Sequence, residues 1–136
     1  MSTSGIKKVV LHTDIILSHL TASKKEVSIM RRAMTQYFCY TTVFNAIELF
    51  SLVRTEEERK TMESAMSSLK ILGLNAKSAP KYADVIQNKT LPRMNGLIAG
   101  LCLESKLPIL TSKPSEFRKV KGLIILTPKD IITVNQ

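Results

Sequence analysis

Short apolar runs alternate along the chain with longer segments of helical periodicity. The run Val9-Val10-Leu11 follows two lysines and is typical of a buried strand, and Tyr37-Phe38-Cys39-Tyr40-Thr41 is rich in residues that favour strands. Strands are predicted at 9–11, 37–41, 108–111 and 122–126, with a brief strand or extended link at 71–74. Helices are predicted at 14–20, 26–34, 56–69, 76–88 and 94–104, and one more follows Thr42.

Polar residues indicate where several of these helices begin. Ser23, Thr42 and Asn75 precede helical segments and can cap them. In the helix after Thr42 the expected packing residues are Phe44, Ile47, Leu49 and Leu52. Glu48 lies inside this apolar segment, where a carboxylate needs a partner, a metal or water unless it faces solvent.

The alternation of short apolar strands with helices predicts the fold class. It favours a three-layer α/β/α sandwich around a parallel sheet of about four or five strands. A chain of 136 residues is the size of one domain, so residues 1–136 are expected to form a single domain. Right-handed crossovers then bring the residues that follow the strands to one edge of the sheet. Those residues are His12, Thr13, Asp14, Thr41 and the segment 111–116, with Glu48 and Asn95 from two helix starts.

The segment after the first strand has two explanations. Polar residues between a buried strand and a helix are typical of a functional site in an open α/β sheet. From the spacing of these residues alone, the simpler explanation is that Thr13 or Asp14 caps the following helix.

Charge narrows the classes of partner. The chain carries 20 Lys or Arg against 11 Asp or Glu, a net charge of +9, which favours contact with polyanions, RNA or DNA first. A lysine-rich surface without a partner explains the charge equally well. Aromatic residues make up only 5% of the chain and Trp is absent, which disfavours a base-stacking platform.

The two cysteines and the apolar runs indicate the compartment. Cys39 and Cys102 stand far apart in apolar surroundings and are expected to be buried thiols in a reducing cytoplasm. No apolar run approaches the length that crosses a bilayer, and His12 and Asp14 interrupt the only stretch that resembles a signal peptide.

Four stretches resemble the motifs of the PIN domain, the nuclease fold used by VapC-type toxins of toxin–antitoxin pairs. The resemblance covers the chain from Val9 to Thr127, and its third and fourth motifs are the most specific. The motifs are His12-Thr13-Asp14, Glu48-Leu49, Asn95-Gly96-Leu97-Ile98-Ala99 and Leu110-Thr111-Ser112-Lys113-Pro114-Ser115-Glu116-Phe117.

This resemblance implies a site in which acidic side chains hold one or two Mg²⁺ or Mn²⁺ ions. Glu48 and Glu116 keep two of the four aligned acidic positions, and His12 and Asn95 replace the other two. The implied catalytic and metal-ligating residues are therefore Glu48, Glu116 and Asp14, with His12 and Asn95 as further candidate ligands. The implied substrate contacts are Thr13, Thr111 and Lys113.

Three interpretations of function follow. The chain can be a metal-dependent endoribonuclease, in which a Mn²⁺ or Zn²⁺ site using His12 and Glu48 is one variant. It can instead be a PIN fold without a catalytic metal that binds RNA or protein, with Lys113 in place of the cation. The resemblance also implies an antitoxin-type partner and a homodimer, with helix 26–34 as a docking element.

Overall fold

Five parallel strands form one sheet in the spatial order β3-β2-β1-β4-β5. The structure is a computed structural model and describes residues 7–22, 27–87 and 91–132. The strands are β1 (Lys8–Leu11), β2 (Phe38–Thr42), β3 (Lys70–Leu72), β4 (Ile109–Leu110) and β5 (Ile125–Leu126). The predicted parallel α/β sheet is thereby confirmed. That residues 1–136 form a single domain stays a prediction.

Seven helices accompany the sheet within the described residues. They are α1 (Thr13–Thr21), α2 (Ile29–Gln36), α3 (Val43–Ser51), α4 (Glu56–Ser67), α5 (Ala79–Ile86), α6 (Arg93–Ser105) and α7 (Pro128–Ile132). Single 3₁₀ turns lie at Ala76–Ser78 and Pro114–Glu116. None of these helices is both long enough and apolar enough to cross a membrane.

The two faces of the sheet carry separate apolar cores. Val9 and Leu11 are fully buried on one face, among residues of α1, α2, α3, α4 and α7. Val10 lies between them in sequence and is buried on the other face against α6. Because successive strand residues point to opposite faces, β1 is covered on both sides. The three-layer arrangement follows from this alternation.

Most predicted helices are present, with three differences. The predicted start of the second helix, with its cap Ser23, lies outside the described residues, and Ser28 caps α2. Asn75 does cap the next segment, but that segment begins as a 3₁₀ turn before α5. The sequence pattern did not predict α7.

Helix α3 buries a narrower stripe than predicted. Thr42 caps it as expected, and Leu49 is fully buried. Ile47 and Leu52, however, are 55% and 53% exposed, so their assignment to the core was wrong. Buried Asn45 and Ala46 share the stripe of Leu49, because residues three and four apart lie on the same side of a helix. The buried stripe of α3 therefore contains the polar residue Asn45, whereas the apolar residues Ile47 and Leu52, which were predicted to be buried, are exposed.

Both cysteines are free and buried, as predicted. Burial raises the pKa of the Cys39 thiol to about 11 and that of Cys102 to about 12. Neither is therefore a thiolate at neutral pH, and both serve as small apolar core residues.

Candidate functional site

The Asn45 side chain is held by the residue that caps its own helix. The Thr42 hydroxyl donates to Asn45 Oδ1 over 2.7 Å, and the Thr42 backbone N–H donates to the same oxygen over 3.3 Å. The Asn45 backbone N–H donates in return to the Thr42 hydroxyl oxygen over 3.1 Å. This reciprocal pair is a capping box. It directs the amide oxygen of Asn45 to Thr42 and leaves the amide nitrogen free to donate elsewhere.

That amide nitrogen connects helix α3 to the end of β1. Asn45 Nδ2 lies 3.1 Å from His12 Nδ1 and donates to the Thr13 hydroxyl oxygen over 2.9 Å. An amide NH₂ has only donors to offer, so Nδ1 of His12 is the acceptor in this contact. The neutral imidazole consequently carries its proton on Nε2.

His12 is buried at the floor of this site. It is only 6% exposed, and its ring meets the edge of the Phe117 ring at 88°, with centroids 5.0 Å apart. Its Nε2 lies 3.9 Å from Glu116 Oε1. The Nε2–H group therefore faces the only carboxylate that approaches the ring so closely within the described residues.

Burial lowers the pKa of His12 below its ordinary value of 6.5. The carboxylates of Asp14, Glu48 and Glu116 act in the opposite direction, and the charge of Lys113 adds to the lowering. The contact with Asn45 has the same effect as burial, since a proton on Nδ1 would face another donor. His12 is therefore a neutral imidazole at neutral pH.

Thr13 and Glu48 form the next link. The Thr13 hydroxyl donates to Glu48 Oε1 over 2.7 Å. Glu48 thus has a partner within the protein, and the interpretation that it only faces solvent was wrong. The interpretation of Thr13 as a helix cap was also wrong, because His12 takes the N-cap position of α1 and no side chain caps it.

Asp14 joins the start of α1 to the end of β4. Its Oδ2 accepts from the Thr111 hydroxyl and from the Ser112 backbone N–H, both over 2.9 Å. The Lys113 backbone N–H donates to the Thr111 hydroxyl oxygen over 3.1 Å. Asp14 therefore fixes the loop after β4 and does not cap α1. Its Oδ1 is buried and makes no hydrogen bond with the described part of the chain.

Seven of the eight predicted site residues meet at this edge of the sheet. Asn95 is the eighth: it is half-buried in the first turn of α6, and no hydrogen bond between described residues joins it to the others. Lys113 is exposed, but its charge acts on His12. The seven that meet are His12, Thr13, Asp14, Glu48, Thr111, Lys113 and Glu116.

The sequence pattern missed Asn45 and Phe117 as parts of the site. The spacing Thr42-x-x-Asn45 could have revealed the first, because it is the spacing of a capping box. Phe117 belongs to the fourth motif, but its contact with His12 depends on how the loop folds back.

The donor atoms at this site do not fit a Mg²⁺ or Mn²⁺ centre as they are arranged. Mg²⁺ requires near-octahedral oxygen ligands. His12 Nδ1 already accepts from Asn45, and Asp14 Oδ2 is engaged with Thr111 and Ser112. Asp14 Oδ1, which has no hydrogen-bond partner among the described residues, is a single available oxygen and does not make a ligand set by itself. Within residues 7–22, 27–87 and 91–132, no three His, Cys, Asp or Glu side chains form a cluster that could hold a metal ion. The metal-ligating and catalytic assignments stay predictions.

Several solved structures that share this fold are toxin–antitoxin complexes. A DNA-bound VapBC from Salmonella typhimurium aligns with a TM-score of 0.77 at 17% identity, over 90% of this chain and 99% of that one. VapBC-1 from nontypeable Haemophilus influenzae gives 0.72 at 17% identity, over 90% and 98%. A toxin–antitoxin complex from Klebsiella pneumoniae gives 0.71 at 14% identity, over 88% and 97%.

These alignments confirm the predicted PIN-like fold, as the VapC components of such complexes are PIN domains. Identities of 14 to 17% establish similarity of fold and not of chemistry. No protein-family model and no curated protein matches the sequence.

We predict that Asn45→Asp raises the pKa of His12. The substitution places a carboxylate oxygen where Nδ2 donates, and a carboxylate beside Nδ1 favours the imidazolium. We expect a rise of about one unit or more, measured from the ring ¹⁵N shifts in an NMR titration. Asn75→Asp, at the distant 3₁₀ cap, should leave His12 unchanged.

The lowered pKa of His12 also predicts the direction in which the free energy of unfolding changes with pH. In the wild type the unfolded chain binds the His12 proton more readily than the folded one, so the free energy of unfolding should fall as the pH drops through 6.5. Asn45→Asp should reduce that fall. A wild-type His12 protonated on Nδ1 at neutral pH would contradict this description of the site.

Proposed function

We propose that this chain is a PIN-fold module that binds RNA and does not perform metal-dependent hydrolysis. The observation that carries the proposal is the buried, neutral His12, which the Asn45 amide holds where the PIN pattern has a carboxylate. A metal-dependent nuclease needs a group of anionic oxygens that binds the ion and activates water. Here two of the four acidic positions are a neutral imidazole and an amide.

The remaining groups support binding in preference to chemistry. Glu48 accepts from Thr13, and Asp14 holds the loop after β4, so these two carboxylates have structural partners. The net charge of +9 favours a polyanionic ligand. RNA is the polyanion that the PIN resemblance indicates, and the two free cysteines agree with a reducing compartment such as the cytoplasm.

Binding of this kind has a defined dependence on salt and on chelators. The affinity for a labelled single-stranded RNA should fall steeply with salt, because each neutralised phosphate releases counterions. Addition of EDTA should leave the affinity unchanged, and Mn²⁺ should produce no cleavage. Fluorescence anisotropy and gel analysis of the same samples measure both. RNA cleavage that requires Mn²⁺ and disappears in Glu48→Gln would overturn the proposal in favour of the nuclease.

A protein partner is the second candidate function, and one groove favours it. Between α1, α3 and α4 lies a groove of about 260 Å³ whose lining includes Leu17, Leu20, Leu52, Val53 and Met62. Leu17 and Leu52 are 37% and 53% exposed. Contiguous exposed apolar side chains are typical of protein interaction sites, and the structural neighbours are toxin–antitoxin complexes.

The partner would be an antitoxin-type segment or a second copy of this chain. Leu52→Asp should abolish co-purification of a neighbouring short gene's product and leave RNA binding unchanged, because a charge in the groove opposes an apolar ligand. Sedimentation equilibrium of both proteins reports whether a homodimer uses the same groove. Unaltered co-purification and an unaltered oligomeric state would exclude the groove as the interface.

A further inference from the structure

Nearly half of the net positive charge of the chain lies in one short stretch of sequence. Between Ser105 and Thr127 there are five Lys or Arg and a single acidic residue, Glu116, which gives +4 of the total +9. We call these five cations the basic stripe: Lys106, Lys113, Arg118, Lys119 and Lys121. All but Lys106, which ends α6 in a left-handed conformation, lie in the connection from β4 to β5.

The topology orders most of the basic stripe along one side of the sheet. β4 and β5 are parallel neighbours, with Ile109 opposite Ile125. Residues 111–124 must therefore run from the carboxyl edge of the sheet back to its amino edge. Lys113 lies at the carboxyl edge, where its charge acts on His12. Arg118, Lys119 and Lys121 follow on the return path.

Buried anchors hold this connection in place. Phe117 is fully buried and Val120 is 7% exposed, while the cations on either side of them are exposed. Backbone N–H groups of Phe117 and Val120 donate to Pro114 and Phe117 carbonyls, each over 3.0 Å. Gly122 has a φ of +86°, which suits glycine and closes the turn. The cations therefore project from a preorganised loop, which lowers the entropy lost on binding.

Two adjoining clefts show that the two ends of the stripe are close in space. Lys119 and Lys121 line a cleft of about 230 Å³ that Leu103 also lines. Lys106 lines a second cleft of about 200 Å³, and Leu103 lines that one too. Asp84 is the only acidic residue among the lining residues of either cleft. Three Lys and one acidic residue therefore line the two clefts.

Among the described residues, no ion pair involves any of the five cations of the basic stripe. The 3.9 Å contact between His12 and Glu116 does not include them. Unpaired surface cations can bind phosphates without first breaking a protein contact, and the nucleic acid then releases its condensed counterions. All five positive charges are therefore available to an anionic partner.

We propose that the basic stripe is the surface on which this protein binds the phosphate backbone of single-stranded RNA. The proposal rests on the RNA binding proposed above and names where it occurs. Phosphate contacts need cations spaced along a path and no particular base. Exposed aromatic residues are absent from residues 105–127, so stacking contributes nothing there. Phe117 links the stripe to the candidate functional site, because it packs on His12.

Removal of three cations from the stripe tests this assignment. The variant is Arg118→Gln/Lys119→Gln/Lys121→Gln, and its matched control is Arg59→Gln/Lys60→Gln/Lys70→Gln. The control cations are also exposed, but they lie on α4 and β3, and β3 forms the opposite edge of the sheet from β5. Both variants lose one Arg and two Lys, so their net charges are equal.

The expected result is a loss of affinity for labelled polyuridine in the stripe variant alone, by about ten-fold or more. The slope of log affinity against log salt should fall by about two for three lost contacts to a single strand. The control variant should keep the wild-type slope. Polydeoxythymidine should show the same difference between the variants, since the ligand is the phosphate backbone. Circular dichroism melts of all three proteins confirm that they are folded.

Three outcomes would overturn the proposal, and they separate it from the proposed function. If the control loses as much affinity as the stripe variant, binding is diffuse and the stripe is not the surface, although RNA binding stands. If the stripe variant binds like the wild type, the surface lies elsewhere. If the wild type binds polyglutamate as tightly as polyuridine, or no nucleic acid at all, the RNA-binding function itself fails.

Discussion

The hydrogen bonds of the Asn45 side chain fix the hydrogen-bonding roles of His12, Thr13 and Glu48 at the polar edge of the sheet. Thr42 holds the amide oxygen, so the amide nitrogen is left to donate to His12 and to Thr13. Thr13 in turn donates to Glu48. In this series of hydrogen bonds, the role of each group as donor or acceptor is fixed by the group before it. Buried polar networks of this kind are stable only when every donor and acceptor has a partner. Burial lowers the pKa of His12, and the Asn45 amide, which donates to Nδ1, also favours the neutral imidazole.

The candidate site holds three carboxylates, whereas the basic stripe holds five cations, of which Lys113 also belongs to the site. Asp14, Glu48 and Glu116 surround a neutral imidazole, while the loop that carries Glu116 also carries unpaired cations. A PIN nuclease balances its carboxylates with a metal ion. In this chain the carboxylates are partly engaged with Thr13, Thr111 and the Ser112 backbone, and Lys113 is the one cation of the basic stripe whose charge acts on His12. That distribution fits a surface that holds RNA better than a centre that hydrolyses it.

The parallel sheet and most of its helices could be predicted from the sequence because both depend on apolar periodicity. Val9 to Leu11 reads as a strand buried on both faces, and it is one. Which residues of α3 are buried could not be predicted in the same way. Asn45 is polar and yet as buried as Leu49, because Thr42 and His12 satisfy the hydrogen bonds of its side-chain amide. Polarity alone does not decide burial when a partner from another strand is present.

The four motifs located the candidate site, and the side-chain roles within it required the structure. Thr13 and Asp14 suit helix caps by composition, yet their partners are Glu48 and Thr111, which lie 35 and 97 residues further along the chain. Such contacts depend on strand order, with β1 between β2 and β4. Asn95 was placed by its motif and does not join the hydrogen-bonded group. The partners of Thr13 and Asp14 and the position of Asn95 therefore cannot be predicted from the spacing of nearby residues.

Isothermal titration calorimetry with Mn²⁺ tests the central claim most directly. The claim is that this PIN fold has no metal centre because His12 and Asn95 replace two acidic residues. We expect no specific heat of binding for the wild type. His12→Asp/Asn95→Asp, which restores carboxylates at the two substituted positions of the PIN pattern, should bind Mn²⁺, since hard cations bind anionic oxygens. Wild-type binding of Mn²⁺ that is lost in Glu48→Gln would contradict the account.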